Sequence, residues 1–589
     1  MFITSFTLAM PQTASVTPDF DYYIISIDSK VSLGPITING NIELASYSSS
    51  GDGSEGTPFI IENYNISSCS AGVNGVTVQN TDKYFTLMNF NITACDYGFS
   101  LTNVTFGTIE NSILNSNIGY GIYLENSSNN TIKSNNITNN QAGGIYIYNS
   151  SLNTIQLNSL SDNIGDGGIY VKSAYNNTFE NNYLVNNIVG FNILKSGSNV
   201  FNVNEIINST TGFKIYHSIS NNLSLNKIIG SISEGIYLFN VSHSYLIDNS
   251  INKSNYVGIS IWSSNFNTLT SNNLNQFTTG IQLSESNNNN LKLNNATDGS
   301  ISGFVLYNSS YNTLTSNNAI NDSAYGIDIS FSVNNSLESN YLRENNYGGF
   351  RLGSSFNNTF TSNTEMFSIE GFTLLTSTNN IFTSNEALNN TFHGFTLTNS
   401  PNNTFTSNEA HYNPSGNFVT DSNSSSILVN NNFIDLTVPS EPLNLVVVLN
   451  DDKNPFLKWS LPSFDGYSPI TEYNIYRSED SVSYAKIDST TALNYTDTTG
   501  VGGVSYYYLI RAVNTIGEGP ASNAVPIYLP KPTTTTSSSS SSSLTTSSSI
   551  SSSSSQITTS TEQSSADGWT FSVFLIGIAT FFAIRKRKN

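Results

Sequence analysis

Residues that could do chemistry are sparse in this chain, so their spacing carries the argument. Glu386 and Glu409 stand 23 residues apart, with Glu365 about one such interval earlier and His411 nearby. If that interval brings them onto adjacent strands, like charges one strand spacing apart repel, which raises one pKa or invites a cation. The same interval separates Asp328 from Arg351 and Glu110 from Lys133, which reads as surface ion pairs of small value. Hydrolysis of a glycosidic bond needs two or three carboxylates converging on one groove. The other acidic residues are scattered, so no catalytic set can be assigned. His217, His243, His393 and His411 fall at four different places in the spacing, and the methionines do not cluster. No metal centre is therefore expected, and no cofactor.

Aromatic residues are spaced more tellingly. Tyr123, Tyr146, Tyr148, Tyr170, Tyr216, Tyr237, Phe239, Trp262 and Tyr307 each lie two or four residues after a recurring glycine. On an alternating strand those positions share one outward face. Such a strip beside Asn and Ser could stack on sugar rings while hydroxyls bond the amides. The alternative is that cross-strand aromatic pairs only stabilise the sheet, each by up to about 1 kcal/mol. Tyr123, Tyr146, Tyr148, Tyr170, Tyr237 and Trp262 are the candidate ligand-binding set, and Glu386 with Glu409 the candidate cation site.

The elements that position them follow from the repeat. Between Gly75 and Gly416 a glycine opens a new segment about every 23 residues. Each segment reads G-[IFV]-x-[ILV], then Asn at nine residues, an apolar residue at eleven and Asn at fourteen. The first Asn runs from Asn130 to Asn403 and the second from Asn135 to Asn430. A fixed period of this length means a solenoid. Each segment carries three short alternating stretches, as in Ile122 and Leu124, Ile132, and Ile137. None has the spacing of a helix face, so the fold is an all-β parallel solenoid with three strands per coil. At roughly 4.8 Å per coil, about sixteen coils would make a rod on the order of 75 Å long. Stacking would align one apolar column from Ile109 through Phe179, Phe201 and Phe405 to Ile427. Asn is expected at turns for its tolerance of the left-handed region and for stacking up the column. Gly is expected at a corner for its backbone freedom.

This spelling resembles the right-handed parallel β-helix superfamily, in particular its NosD-like, carbohydrate-binding and sugar-hydrolysing repeats, over about 60% of the chain. The stretch Gly51-Asp52-Gly53 to Thr57-Pro58-Phe59-Ile60-Ile61-Glu62-Asn63 resembles the lead-in segment of such proteins in archaeal surface sequences. The resemblance implies either carbohydrate binding or polysaccharide lysis or hydrolysis. Copper handling, which the NosD-like name implies, would need imidazole or soft ligands that do not gather here. Cys69 and Cys95 fall on neighbouring coils near the solenoid's start, and in an exported protein they suggest a disulfide stapling the cap.

After Val438 the period stops. Leu457-Lys458-Trp459, Ile470 to Arg477 and Tyr506 to Asn514 resemble strands of a fibronectin type III sandwich, with Trp459 as its core Trp and Tyr506 at the tyrosine-corner position. From Lys531 to Ala566 the chain is nearly all Ser and Thr and cannot bury a core. Trp569 to Ile584 is apolar and closed by Arg585-Lys586-Arg587-Lys588, which reads as one transmembrane helix with a cytoplasmic basic tail. That order also resembles archaeal surface-sorting tails cut by a sortase-like enzyme. Met1 to Ala14 reads as part of a signal peptide lacking its basic start. The expected layout is a partial signal peptide at 1–20, a cap at 21–74 and the β-helix at 75–436. A fibronectin type III domain at 437–530, a stalk at 531–566, a membrane helix at 567–584 and a tail at 585–589 complete it.

The net charge is −20, yet charged residues make up only 11% of the chain. An acidic rod with an Asn, Ser, Thr and Tyr surface lacks the basic stripe that nucleic acid needs. Sequons such as Asn65-Ile-Ser, Asn91-Ile-Thr and Asn126-Ser-Ser abound and permit glycosylation. The expected protein is a membrane-anchored, cell-surface binding or adhesion protein for carbohydrate. Its alternatives are a surface polysaccharide lyase or hydrolase and a structural envelope component.

Overall fold

The computed structural model describes residues 31–531 apart from 33, 68, 434 and 435. The expected signal peptide, the membrane helix with its basic tail and all but the first residue of the stalk lie outside the described residues. No helix among the described residues is long and apolar enough to cross a membrane.

Each coil of the solenoid lays down three strands. In the coil from Gly121 these are Tyr120–Glu125 on a first face, Thr131–Lys133 on a second and Asn136–Thr138 on a third. Every strand pairs in parallel with its counterparts in the coils before and after. Ile122 is in register with Phe99 and Ile145, Ile132 with Ile109 and Ile155, and Ile137 with Leu114 and Leu160. These side chains point inward and are fully buried, so one continuous apolar core runs from Ile36 to Ala410. A short helix, Asn41–Tyr47, buries Leu44 against the first coils. Cys69 and Cys95 are joined by a disulfide between successive coils.

The repeat glycines serve a different need from the one expected. From Gly75 to Gly394, those that open a coil do not take positive φ. A Cβ on Gly121 would sit 2.5 Å from Ile137 Cγ2 and 3.0 Å from the Gly144 carbonyl oxygen, and one on Gly144 would sit 2.4 Å from the Gly168 oxygen. Both the glycine and the residue after it therefore face the interior. The strand turns in so closely that only a hydrogen fits. Gly144→Ala is expected to destabilise the solenoid by about 1–3 kcal/mol through overpacking. Gly56→Ala, where a Cβ would meet nothing within 4 Å, should leave the midpoint of chemical denaturation unchanged.

The asparagine columns also differ from the expectation in their cause. Asn130 and Asn135 are buried, and the left-handed backbone belongs to the residues before them, Asn129 (φ 57°) and Ser134 (φ 55°). Leu152 and Leu157 do the same in the next coil. With the bend made one residue earlier, the Asn side chain is turned inward. There it pairs backbone groups that the strand ladder leaves at the corner. Asn135 Oδ1 accepts from the Ser112 N–H at 3.0 Å, while its Nδ2 donates to the Ile109 carbonyl at 2.9 Å and to Asn158 Oδ1 at 3.1 Å. A third ladder, Asn117, Asn140, Asn163 and Asn187, lines the corner between the third and first faces. A serine ladder including Ser127 and Ser150 lines the other side of the first face. Such pairing is what keeps buried polar groups tolerable. Cys95 occupies the third-ladder place before Asn117.

The last coil departs from the count. Gly394 to Gly416 is 22 residues, but Phe405 pairs with Leu428, 23 residues on. Gly416 is in register with His393, so it stands one place before the repeat-glycine position, which Asn417 takes 23 residues after Gly394. Asn431, rather than Asn430, therefore continues the ladder from Asn408 at 3.0 Å, and Asn430 takes the left-handed bend. Ile427, expected inside, is exposed, as is Leu428.

Beyond the solenoid, Leu443–Leu449, Pro455–Ser460 and Asn494–Thr496 form one antiparallel sheet. Glu472–Ser478, Ala485–Thr490, Ser505–Val513, Glu518–Ala521 and Val525–Tyr528 form another. Trp459, Ile475, Tyr506, Tyr508 and Ile510 share its core. Tyr506 Oη accepts from the Val501 N–H at 3.0 Å, the tie of a tyrosine corner. Inside, Asp497 accepts from Tyr508 Oη at 2.6 Å and from Arg477 at 2.7 Å, so this buried carboxylate is paired on both sides.

Candidate functional site

The first face carries the aromatic strip. Ile122 and Leu124 point in, so Tyr123 and Glu125 point out, and Tyr123, Tyr146 and Tyr170 align on successive strands. Tyr97 and Tyr120 join them, each one residue before a repeat glycine. Because the glycine itself faces inward, the alternation slips by one at this corner and turns the preceding residue out. That slip hid both residues from a count of two and four after the glycine.

The rings lie against one another along the rod. Tyr97 stacks on Tyr123 at 4.8 Å and 3°, Tyr120 on Tyr146 at 5.0 Å and 13°, and Tyr146 meets Tyr170 at 5.0 Å and 43°. Tyr148 lies 6.2 Å from Tyr146, with Lys172 Nζ 5.6 Å from its ring centre. The ring faces are thus largely used within the strip, and these side chains are half-buried rather than standing in water. What the strip offers a ligand is ring edges and a row of phenol hydroxyls. Tyr120 donates to Asp166, and Tyr123 donates to Glu125 at 3.3 Å. Burial, then the nearby carboxylate, pushes Tyr123 up to about 12, and burial likewise raises Tyr120, Tyr146 and Tyr170. At neutral pH all four are protonated donors.

Farther along, Tyr216 and Tyr237 meet edge to face at 5.6 Å, Phe239 lies 5.9 Å from Tyr216, and Lys214 Nζ sits 5.2 Å from the Tyr216 ring centre. Tyr237, expected to be exposed, is buried. Trp262 and Tyr307 continue the outward row.

The first face changes character toward its end. Arg351 donates to both oxygens of Asp328, at 2.9 and 3.1 Å, and lies 5.7 Å from the Tyr325 ring centre. On the next coils His393 Nδ1 lies 2.9 Å from Glu370 Oε1, and Thr396 donates to Glu370 Oε2 at 2.7 Å. Glu370 and His393 also stand just before glycines, and the same slip concealed them. Comparing histidines only with each other missed the pair.

Glu386 and Glu409 are in register on the third face. Glu386 accepts from Thr364 at 3.1 Å, and Glu409 lies 3.6 Å from His411 Nε2. Glu365 is no part of that column. It pairs in register with Ala387 and points into the core, where its Oε2 accepts from Asn390 Nδ2 at 2.7 Å. Gly349 leaves the room it occupies.

A family model described as right handed beta helix region matches residues 53–229, and one described as periplasmic copper-binding protein (NosD) matches 188–345 and 294–441. With the parallel coils described above, these matches identify the chain as a right-handed parallel β-helix repeat protein. Over residues 188–441 it is similar to NosD. No curated protein matches the chain.

Solved structures similar to it include domains A168–A170 of titin, at 23% identity and a TM-score of 0.16. That match covers 18% of this chain and 35% of the titin segment, so the chain spans about a third of that structure. A human sixth fibronectin type III domain matches at 20% identity and a TM-score of 0.16, over 17% of this chain and 95% of that one. A Fn3-like protein from Clostridium thermocellum matches at 31% identity and a TM-score of 0.14, over 16% and 97%.

The donors present do not fit copper. Among the described residues no three His, Cys, Asp or Glu side chains come together so as to hold a metal ion, and both cysteines are spent in the disulfide.

Proposed function

We propose that this is an extracellular β-helix binding protein that takes carbohydrate along its first face and is tethered by the segment from Trp569 to Ile584. The observation that carries the reading is the Tyr97–Tyr170 row. It combines closely spaced protonated phenols with the carboxylates of Glu125 and Asp166, the mixture of apolar edge and polar tip that suits a sugar's hydroxyls. The NosD description, which is of a periplasmic protein, supports an exported body. The Ser/Thr stretch before the anchor would hold that body away from the membrane.

The test is a glycan array on the wild-type chain and on Tyr146→Ala with Tyr170→Ala. Binding should fall at least tenfold in the double variant. Because Tyr146 stacks on Tyr120 and packs at a tilt on Tyr170, the variant should also lose about 1 kcal/mol per ring pair, a modest cost for a solenoid of this length. Binding that survives this change but disappears in Glu386→Gln with Glu409→Gln would move the site to the third face.

A second reading is a polysaccharide lyase or hydrolase. The Glu370–His393 pair favours it, since a carboxylate on Nδ1 orients an imidazole as a base. Release of reducing sugar or unsaturated product, lost in His393→Ala, would select it over binding alone.

A further inference from the structure

The sequons are not spread at random over the surface, and the coil geometry says why. Every asparagine of the second-face and third-face ladders has an inward residue two places on, as Asn130 has Ile132 and Asn135 has Ile137. No buried ladder asparagine can therefore head a sequon. Acceptors fall instead on the bends and on outward strand places of the second and third faces, such as Asn222 and Asn136. Asn126-Ser-Ser, Asn149-Ser-Ser, Asn129-Asn-Thr and Asn357-Asn-Thr border the first face on one side, and Asn208-Ser-Thr and Asn389-Asn-Thr border it on the other. All six asparagines are exposed and have positive φ, from 47° to 57°. That backbone throws the side chain outward from the corner. Asn149 Nδ2 donates to Asn126 Oδ1 at 2.6 Å, so these two amides pair on the outside of the rod, and the donor carries a second N–H. No sequon begins at the outward positions two and four after a repeat glycine, where the tyrosines stand.

We propose that the bend asparagines are N-glycosylation sites and that their glycans line both edges of the first face while leaving the face bare. In the transfer, the asparagine Nδ2 forms a bond to the anomeric carbon of a diphosphate-activated oligosaccharide. The bond from that carbon to the diphosphate oxygen breaks, the diphosphate leaves with the electron pair, and one amide proton passes to a base of the transferase. The ladder amides cannot take part, because they are buried and their N–H groups are already given to backbone carbonyls and to the next ladder amide.

The test is glycopeptide mass spectrometry on the full chain isolated from the cells that make it, beside Thr131→Val produced in the same cells. Thr131 is an outward strand residue, so valine should keep the strand while removing the sequon hydroxyl. Glycan mass is expected on Asn129 and other bend asparagines, absent from Asn130 and Asn135, and lost from Asn129 alone in the variant. Bend peptides found wholly unmodified would overturn the proposal. So would glycan on a ladder asparagine, or on Asn129 after Thr131→Val. Sugar binding by the first face plays no part in these readouts.

Discussion

Phe179→Asp should abolish cooperative folding of the solenoid rather than merely soften it. Phe179 is fully buried, stacked on Phe201 at 4.7 Å and edge-on to Phe191 at 5.7 Å. Removing the ring alone costs about 3–5 kcal/mol in lost burial and residual cavity. The new carboxyl must then either ionise in the core or stay protonated without a built partner, and each option adds several kcal/mol. A solenoid amplifies the damage because each coil touches only its neighbours. On the second face, the coils before Thr178–Glu180 and after it meet only through that strand. Circular dichroism during urea denaturation should show loss of the main transition, or its division into two. Phe179→Leu, which keeps the site apolar, should retain one transition at slightly lower urea. A wild-type midpoint in the aspartate variant would mean that the side chain does not point inward.

The period made the coil legible because stacking requires like residues at like places, and the inward columns from Ile109 to Phe405 can be read by counting. The polar residues were harder. Asn is common both on left-handed bends and in buried ladders, so its recurrence did not say which of Asn129 and Asn130 made the bend. The hydrogen bonds decide it. Gly121 likewise has two uses, conformational freedom and lack of a side chain, and only the interior atoms around it separate them. Its inward turn shifts the alternation by one, which is why Tyr97, Tyr120, Glu370 and His393 escaped a reading that assumed unbroken parity. Glu365 is a different case. It lies sixteen residues after Gly349, as Ile137 lies sixteen after Gly121, so the count placed it inside. Reading it by charge, as a neighbour of Glu386, set that count aside. The start of the last coil was misplaced because Gly416 stands one position before Asn417, which takes the repeat-glycine place, and no later coil fixes the register there.

Stability is expected to fall as pH rises from about 4 to 8, and two inward carboxyls should account for most of the change. Glu365 is fully buried with Oε1 unpartnered. Asp322 occupies a third-ladder place, where its Oδ1 accepts from the Gly299 N–H at 2.9 Å and its Oδ2 has no partner. Burial pushes both up to about 8. In the unfolded chain each would ionise near the ordinary carboxyl value of about 4. Below that value both states are protonated and the full stability is present. Between about 4 and 8 the folded state holds protons that the unfolded state has released, so unfolding gains with every unit of pH. Above 8 the loss is complete, on the order of 5 kcal/mol for each carboxyl. Asp322→Asn should remove its share and raise stability at neutral pH. The asparagine keeps the acceptor for Gly299 and adds an Nδ2 donor of the kind that Asn345 gives to the Ala319 carbonyl at 3.1 Å. Glu365→Gln should flatten the other share, with the amide oxygen still facing Asn390. Thermal midpoints of wild type and both variants at pH 5, 6.5 and 8.5 give the comparison. Parallel curves for all three proteins would show that these carboxyls do not titrate inside the fold.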